Sequence, residues 1–224
     1  MRRLQRANGR ISILARTDAL TGLLNRRAFV EELAKEIASI PARNGPCAVL
    51  FLDLDDFKDI NDTQGHPAGD KVLCEVAARL RSAVRADDLV ARFGGDEFAI
   101  LQRNVGDPNA ACSLARDVLE VLACPYEAGG VSLHVRASIG IALHSEHADV
   151  PAIMMQADQA LYRAKNDGRA CFRFHTVELD QQIQLRVTLA QDISDAIARG
   201  ELHLHEIADI VSGTVAGMQR DKAA

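Results

Sequence analysis

Apolar residues recur along this chain with two different periods. Between Ala68 and Val84 the residues Val72, Leu73, Val76, Leu80 and Val84 fall at helical spacing, which predicts a helix with Asp70 and Lys71 in its first turn. Further helices are predicted from Arg26 to Ile40, closed by Pro41 and an Asn44-Gly45-Pro46 turn, from about Asn109 to Leu122, and from about Val150 to Asn166, ending at Gly168. CAVLFLDL, from Cys47 to Leu54, has the length and composition of a buried strand. RFGGDEFAIL, from Arg92 to Leu101, reads as a hairpin whose tight turn is Gly94-Gly95. Two strand-like stretches span about Val131 to Leu143 after the Gly129-Gly130 turn, and a short strand from Ala170 to Phe174 completes an antiparallel sheet with helices packed on it. Before all of these, Met1 to Arg16 is basic, with Leu4, Ile11 and Leu14 at heptad-like spacing. That segment is either a signalling linker at the end of a longer helix or a frayed amphipathic leader. No internal repeat or low-complexity segment is evident.

Composition narrows the class without deciding it. The 224 residues suffice for one full core plus a tail. A net charge of −5 argues against nucleic-acid or membrane-surface binding, which needs a basic face. Cys47, Cys74, Cys112, Cys124 and Cys171 show no metal-ligand or CxxC spacing, so reduced thiols and a cytoplasmic location are expected. No apolar stretch approaches the length of a membrane span, and Met1 to Arg10 lacks the apolar core of a signal peptide. A parent protein tethered to a membrane would carry its anchor outside this chain.

Two acidic clusters carry the candidate chemistry. Asp96 and Glu97 follow the glycine pair directly, and Gly94 and Gly95 let a nucleotide approach backbone with no Cβ in the way. Alone, this is an ordinary hairpin with an acidic exit. The second cluster, Asp53, Asp55 and Asp56, ends the apolar strand. Carboxylates there are costly unless paired, and a hard divalent cation such as Mg²⁺ is the usual partner. Alone, an acid-rich strand end is more often a solvated loop. If the strand and the hairpin lie side by side, Asp53 and Asp96 converge, which is a recurrent design for displacement at phosphorus.

The ordered segments DALTGLLNRRAF, DLDDFKDINDTQGHPAGDKVL, RFGGDEF, ASIGIA and ADQALYRAKNDGR resemble those of the GGDEF-domain diguanylate cyclases, from Thr17 to Phe174. The resemblance implies an α/β (α+β) fold, a central, mostly antiparallel five-stranded sheet flanked by helices, as in nucleotide cyclases and polymerase palms. It also implies condensation of two GTP into cyclic di-GMP with release of two pyrophosphates, each domain of a homodimer presenting one GTP. Asp53, Asp96 and the Leu54 carbonyl match the metal ligands, for Mg²⁺ or alternatively Mn²⁺. Glu97 matches the acid that binds metal or activates the 3′-hydroxyl. Asn61 and Asp70 match the guanine-reading pair; a carboxylate accepts from guanine N1–H and N2–H, donors that adenine lacks. As a helix-start residue favoured by the macrodipole, Asp70 has a competing reading. Phosphate contacts would come from the Asp56-Phe57-Lys58 amides and from Lys58, Lys165 and Arg169, although cations are favoured at a helix C-terminus anyway. Asp18 and Arg26 match positions that organise the site's periphery. Family members often have Asn where this chain has Ala170, a departure expected to have little consequence.

Arg85 and Asp88 match the family's RxxD inhibitory site for its own product, with Arg116 where a helper arginine is often seen. Guanidinium groups suit cyclic di-GMP because they bond phosphate or a guanine edge bidentately and stack on the base. The segment from His175 to Ala224 resembles the opening helix and first strands of an EAL phosphodiesterase domain, then departs from it at Glu206-Ile207-Ala208. It falls far short of the roughly 250 residues such a barrel takes, so phosphodiesterase activity is not expected of it. The helical stripe Leu179, Ile183, Val187, Ala190 and Ile197 then needs another surface to cover it, or the end is partly disordered. The expected organisation is a linker helix (1–16), the cyclase domain (17–174) and an EAL-like segment (175–224), with a sensor domain upstream in the parent protein. The alternative from another class is a catalytically silent GTP-binding or cyclic di-GMP-binding regulatory module.

Overall fold

The apolar run after Pro46 becomes an interior strand of a six-stranded sheet. The computed structural model describes residues 16–39, 46–128, 131–144 and 148–199. In chain order these form β1 (Leu24–Asn25), α1 (Arg26–Ser39), β2 (Ala48–Asp55), α2 (Phe57–Gln64), α3 (His66–Ala83), β3 (Leu89–Gly94), β4 (Glu97–Gln102), α4 (Pro108–Ala123), β5 (Tyr126–Ala128), β6 (Val131–Leu133), β7 (Arg136–Leu143), α5 (Val150–Asn166), β8 (Phe172–Phe174) and α6 (Val177–Ala198). The sheet order is β1-β3-β4-β2-β7-β8, and β5 pairs with β6 in a separate ribbon. The interior pairings are antiparallel, as expected, but the two edges, β1 on β3 and β8 on β7, are parallel. The sixth strand is β1, only two residues long, which no period of apolar residues reveals.

Alternation along β2 divides its side chains between two layers. Val49 joins Phe29 and Leu33 of α1 and Ile153 and Ala157 of α5 in one core cluster. Leu50, Leu52 and Leu54 lie on the opposite face and are also buried. All five cysteines are free; burial and the nearby Glu36 push the Cys47 thiol up to about 12, so it is chemically inert.

Two boundaries differ from the sequence reading, and both move a candidate residue. Gly65, at φ 81°, ends α2, and Pro67 sits in the first turn of α3, which therefore begins at His66 and carries Asp70 in its second turn. The macrodipole reading of Asp70 loses its basis. In the hairpin, Gly94 pairs with Glu97 after a bulge between Arg92 and Gly94, so the turn residues are Gly95 and Asp96. Asp96 thus stands in the turn itself rather than after it.

The chain divides into two compact units, Met1–Asp180 and Gln181–Ala224. The first runs past the expected boundary at Phe174, because the Phe174 amide donates to Asp180 Oδ1 at 2.9 Å. In the second, the described residues continue α6 to Ala198. The expected linker helix (1–15 of it), the Gly129-Gly130 turn, the EAL-like strands and the side chains of Val187 and Ala190 lie outside the described residues. Among the described residues, no helix is long and apolar enough to cross a membrane.

Candidate active site

The two acidic clusters meet because β2 and β4 are neighbours. Asp53 lies opposite Glu97 in the antiparallel register, and Leu54 N donates to Asp96 O at 3.3 Å. Three expected carboxylates therefore occupy one end of the sheet. Burial raises the Asp53 carboxyl above its usual range, and the charge of Asp96 adds to that, while Lys165 and Arg169 pull it back without cancelling the rise. Lys165 Nζ is 2.8 Å from Asp53 Oδ2. The lysine thus contacts the carboxylate expected to hold metal, rather than standing free for phosphate.

Helix α5 supplies that lysine from close range. A Cβ on Gly140 of β7 would lie 2.1 Å from Leu161 N and 2.2 Å from Ala157 O, so only glycine lets the helix lie this close to the strand. Beyond α5 the chain reverses through Gly168, Arg169 and Ala170, all with left-handed φ, of 110°, 62° and 47°. Asp55 holds this loop: its Oδ2 accepts from Ala170 N at 3.0 Å and its Oδ1 from Ser138 Oγ at 2.8 Å. Ala170 is therefore a strained position, one where Asn is better tolerated than Ala.

On the other side of the strand end, Asp56 takes a left-handed φ of 57° and α2 begins at Phe57. This left-then-right-handed sequence turns successive N–H groups toward one concavity, the geometry that cradles anions. Lys58 is exposed on the first turn, and Phe57 is buried beneath it. Asn61 of α2 faces Gly69 of α3, next to the exposed Asp70.

The glycine turn is braced by Arg92, which lies within the motif but has no role that the sequence reveals. Its Nε and NH2 donate to Gly95 O at 3.0 and 2.7 Å, and its NH1 donates to Asp18 Oδ1 at 3.1 Å. Burial acts to raise the Asp18 carboxyl, but hydrogen bonds from Thr21 and Arg92 outweigh it and hold the group low. A Cβ on Gly94 or Gly95 would meet nothing within 4 Å, leaving the open approach expected of the turn. Arg26 stands over the Phe93 ring at 5.5 Å and, with Glu97, Phe51, Met154 and Asp158, lines a cavity of about 640 Å³. None of Asp53, Asn61, Asp70, Lys165 or Arg169 lines that cavity.

The expected inhibitory residues are divided. Arg85 and Asp88 line a cavity of about 320 Å³ with Arg81, which sequence reasoning missed. Arg116 does not line it; its NH2 is 3.6 Å from Cys112 Sγ on α4. Asp88 is buried and already accepts from the backbone amides of Arg85 and Arg103, at 3.1 and 3.0 Å. It shapes the loop that presents Arg85.

A family model described as "Diguanylate cyclase, GGDEF domain" matches residues 15–171. The chain is 42% identical over 223 residues to an uncharacterized signaling protein of Caulobacter vibrioides, covering 98% of this chain and 28% of that one. It is 38% identical over 203 residues to MucR of Pseudomonas aeruginosa, named a bifunctional diguanylate cyclase/cyclic di-GMP phosphodiesterase, covering 90% and 30%. It thus spans less than a third of these relatives' length. A solved form of TpbB from Pseudomonas aeruginosa comprising only the GGDEF domain superposes with a TM-score of 0.69 at 38% identity, covering 75% of this chain and 99% of that one.

Proposed function

Since the chain belongs to the family of GGDEF diguanylate cyclase domains, we propose that it condenses two GTP into cyclic di-GMP and releases two pyrophosphates. The observation that carries this reading is the meeting of Asp53, Asp96 and Glu97 at one sheet end beside Lys165 and Arg169. The donors on offer, two carboxylates and the Leu54 carbonyl, are all oxygen and suit Mg²⁺ or Mn²⁺. When bound, the metal would neutralise phosphate charge. The raised Asp53 carboxyl supports the same fit, because a carboxylate that burial, and to a lesser extent the Asp96 charge, disfavours as an anion gains from a cation beside it.

The chain's own groups then have distinct tasks. The amides at Asp56-Phe57-Lys58 cradle phosphate oxygens, with the Lys58 and Arg169 side chains beside them. Lys165 moves from Asp53 to the triphosphate when nucleotide binds. Asn61 and Asp70 read the guanine edge, with the Phe57 ring and Asn61 both close to Gly69. Glu97 accepts the proton of the 3′-hydroxyl that attacks the α-phosphate of the GTP held by a second copy. Two such steps close the ring, so a homodimer is the active species. Cyclic di-GMP binds at Arg85, within the loop shaped by Asp88, and inhibits; Arg81 rather than Arg116 lines that cavity and is the better helper. Residues 1–16 link to an upstream sensor and residues 175–224 begin an EAL-like domain, a reading supported by an alignment that runs over 223 residues, well beyond the family model's end at residue 171. The domain works in the cytoplasm.

The test is incubation of the purified chain with GTP and Mg²⁺ at several protein concentrations, product being measured by chromatography with Asp96→Ala as control. Product rising more than linearly with protein and absent from the variant supports the reading. GTP bound with no product at any concentration points instead to a silent regulatory module. For the feedback site, Arg85→Ala is expected to relieve product inhibition; unchanged inhibition and product affinity would remove that part.

A further inference from the structure

Gly69 lies inside α3, immediately before Asp70, and is buried. Its φ is outside the left-handed region, so nothing in the backbone demands glycine. A glycine within a helix forgoes the propensity that alanine would supply and loses more freedom on folding. Something must therefore use the space of the missing side chain. A Cβ built on Gly69 would stand 2.1 Å from Asn61 Oδ1, 3.0 Å from Asn61 Cγ and 3.2 Å from Phe57 Cζ. The Asn61 amide rests against the Gly69 backbone, with the Phe57 ring beside it. Among the described residues no hydrogen bond holds that amide. Its Oδ1 occupies the space that a Cβ on Gly69 would take.

We propose that Gly69 is a positioning residue for base selection, its absent side chain being the seat that holds the Asn61 amide beside the Asp70 carboxylate. The proposal rests on the reading of Asn61 and Asp70 as the guanine-contacting pair. Guanine presents the O6 acceptor next to its N1–H and N2–H donors, whereas adenine presents an amino donor in place of O6. A carboxylate and an amide nitrogen side by side match the first edge and reject the second. That discrimination needs the two groups at a fixed separation, one on α2 and the other on α3. Gly69 is the point where Asn61 of α2 meets α3, one residue before Asp70. The atom that a methyl group would strike is the free end of a rotatable side chain, so alanine displaces the amide without forcing the helices apart. Fold and recognition are thereby separable.

The experiment measures the affinity of inert α,β-methylene analogues of GTP and ATP, with Mg²⁺, by calorimetry. The proteins are the parent chain, Gly69→Ala, Asn61→Ala and the double variant, each with its melting temperature. Gly69→Ala is expected to melt at or above the parent. It should lose affinity for the guanine analogue by about tenfold or more, with the adenine analogue little changed. The double variant should bind no more weakly than Asn61→Ala, because the displaced amide is already gone. Guanine preference retained in Gly69→Ala, or costs that add in the double variant, would overturn the proposal. Loss of cooperative melting in Gly69→Ala would overturn it too, by making the glycine a packing residue. If Asn61→Ala itself keeps full guanine preference, the base-reading assignment fails; if only Gly69→Ala keeps it, the seat alone fails.

Discussion

Burial at the end of β2 raises the Asp53 carboxyl, and the charge of Asp96 raises it further, while Lys165 only partly offsets this. A carboxyl whose folded-state pKa exceeds its unfolded value binds more protons when folded. Its contribution to stability is therefore full at low pH and is lost as pH rises through the folded pKa. Asp53→Asn removes that loss. Without nucleotide the variant should melt at or above the parent's temperature near neutral pH, with the gap widening from acid to neutral, and it should make no cyclic di-GMP. Calorimetry across that pH range, paired with product chromatography, checks both halves. Ala170 presents the reverse case, a strained residue with no chemistry of its own. At φ 47° and exposed, it carries a penalty that asparagine largely escapes, so Ala170→Asn should raise stability by about 1 kcal/mol in denaturant titration. Asp53 and Asp96 were legible in the sequence because acids beside apolar strands announce a partner, while Lys165 was legible only through the family motif, and as a phosphate contact rather than the partner of Asp53. Asp55, Arg92 and Gly69 were not, because each acts through what faces it: Ala170 N, Gly95 O and the Asn61 amide.

Helix α5 and strand β7 show how one small residue sets a whole element. Gly140 lies beneath the α5 backbone, and an alanine methyl there would meet backbone atoms at 2.1 and 2.2 Å, which cannot rotate aside. Gly140→Ala should therefore cost roughly 1–3 kcal/mol and push α5 outward, taking Lys165 from Asp53. A lower melting temperature together with weaker binding of Mg²⁺-GTP is the expected outcome; a lower melting temperature with unchanged binding would mean that the lysine is not held by this contact. The helical period of α5 was evident in the sequence, but its docking on β7 was not. The start of α3 shows a similar limit: apolar spacing located the helix, while Gly65 and Pro67 moved its first turn back to His66 and left Asp70 in the second.

The first compact unit extends to Asp180, beyond the Phe174 boundary that the motifs suggested. Asp180 is buried, accepts from the Phe174 amide at 2.9 Å, and lies 3.6 Å from Arg173 Nε. A chain ending at Phe174 would leave the β8 amide without this partner. It should be less stable than one ending at Asp180 by about 1 kcal/mol, measured by denaturant titration of the two truncated proteins. Equal stability would return the boundary to Phe174.

The sequence by itself determined the family, the longer helices and the interior strands, and the acids and bases proposed for the candidate site, because periodicity and ordered motifs are local and survive without a fold. Tertiary structure alone decided that Asp53 pairs with Lys165, that Asp96 stands in the turn, that Arg81 rather than Arg116 lines the Arg85 cavity, and that Gly69 and Gly140 allow close approach. These are relations between residues far apart in the chain. Register, strand order and the space left by a missing side chain fix them, and none of those quantities exists until the sheet and its helices have assembled.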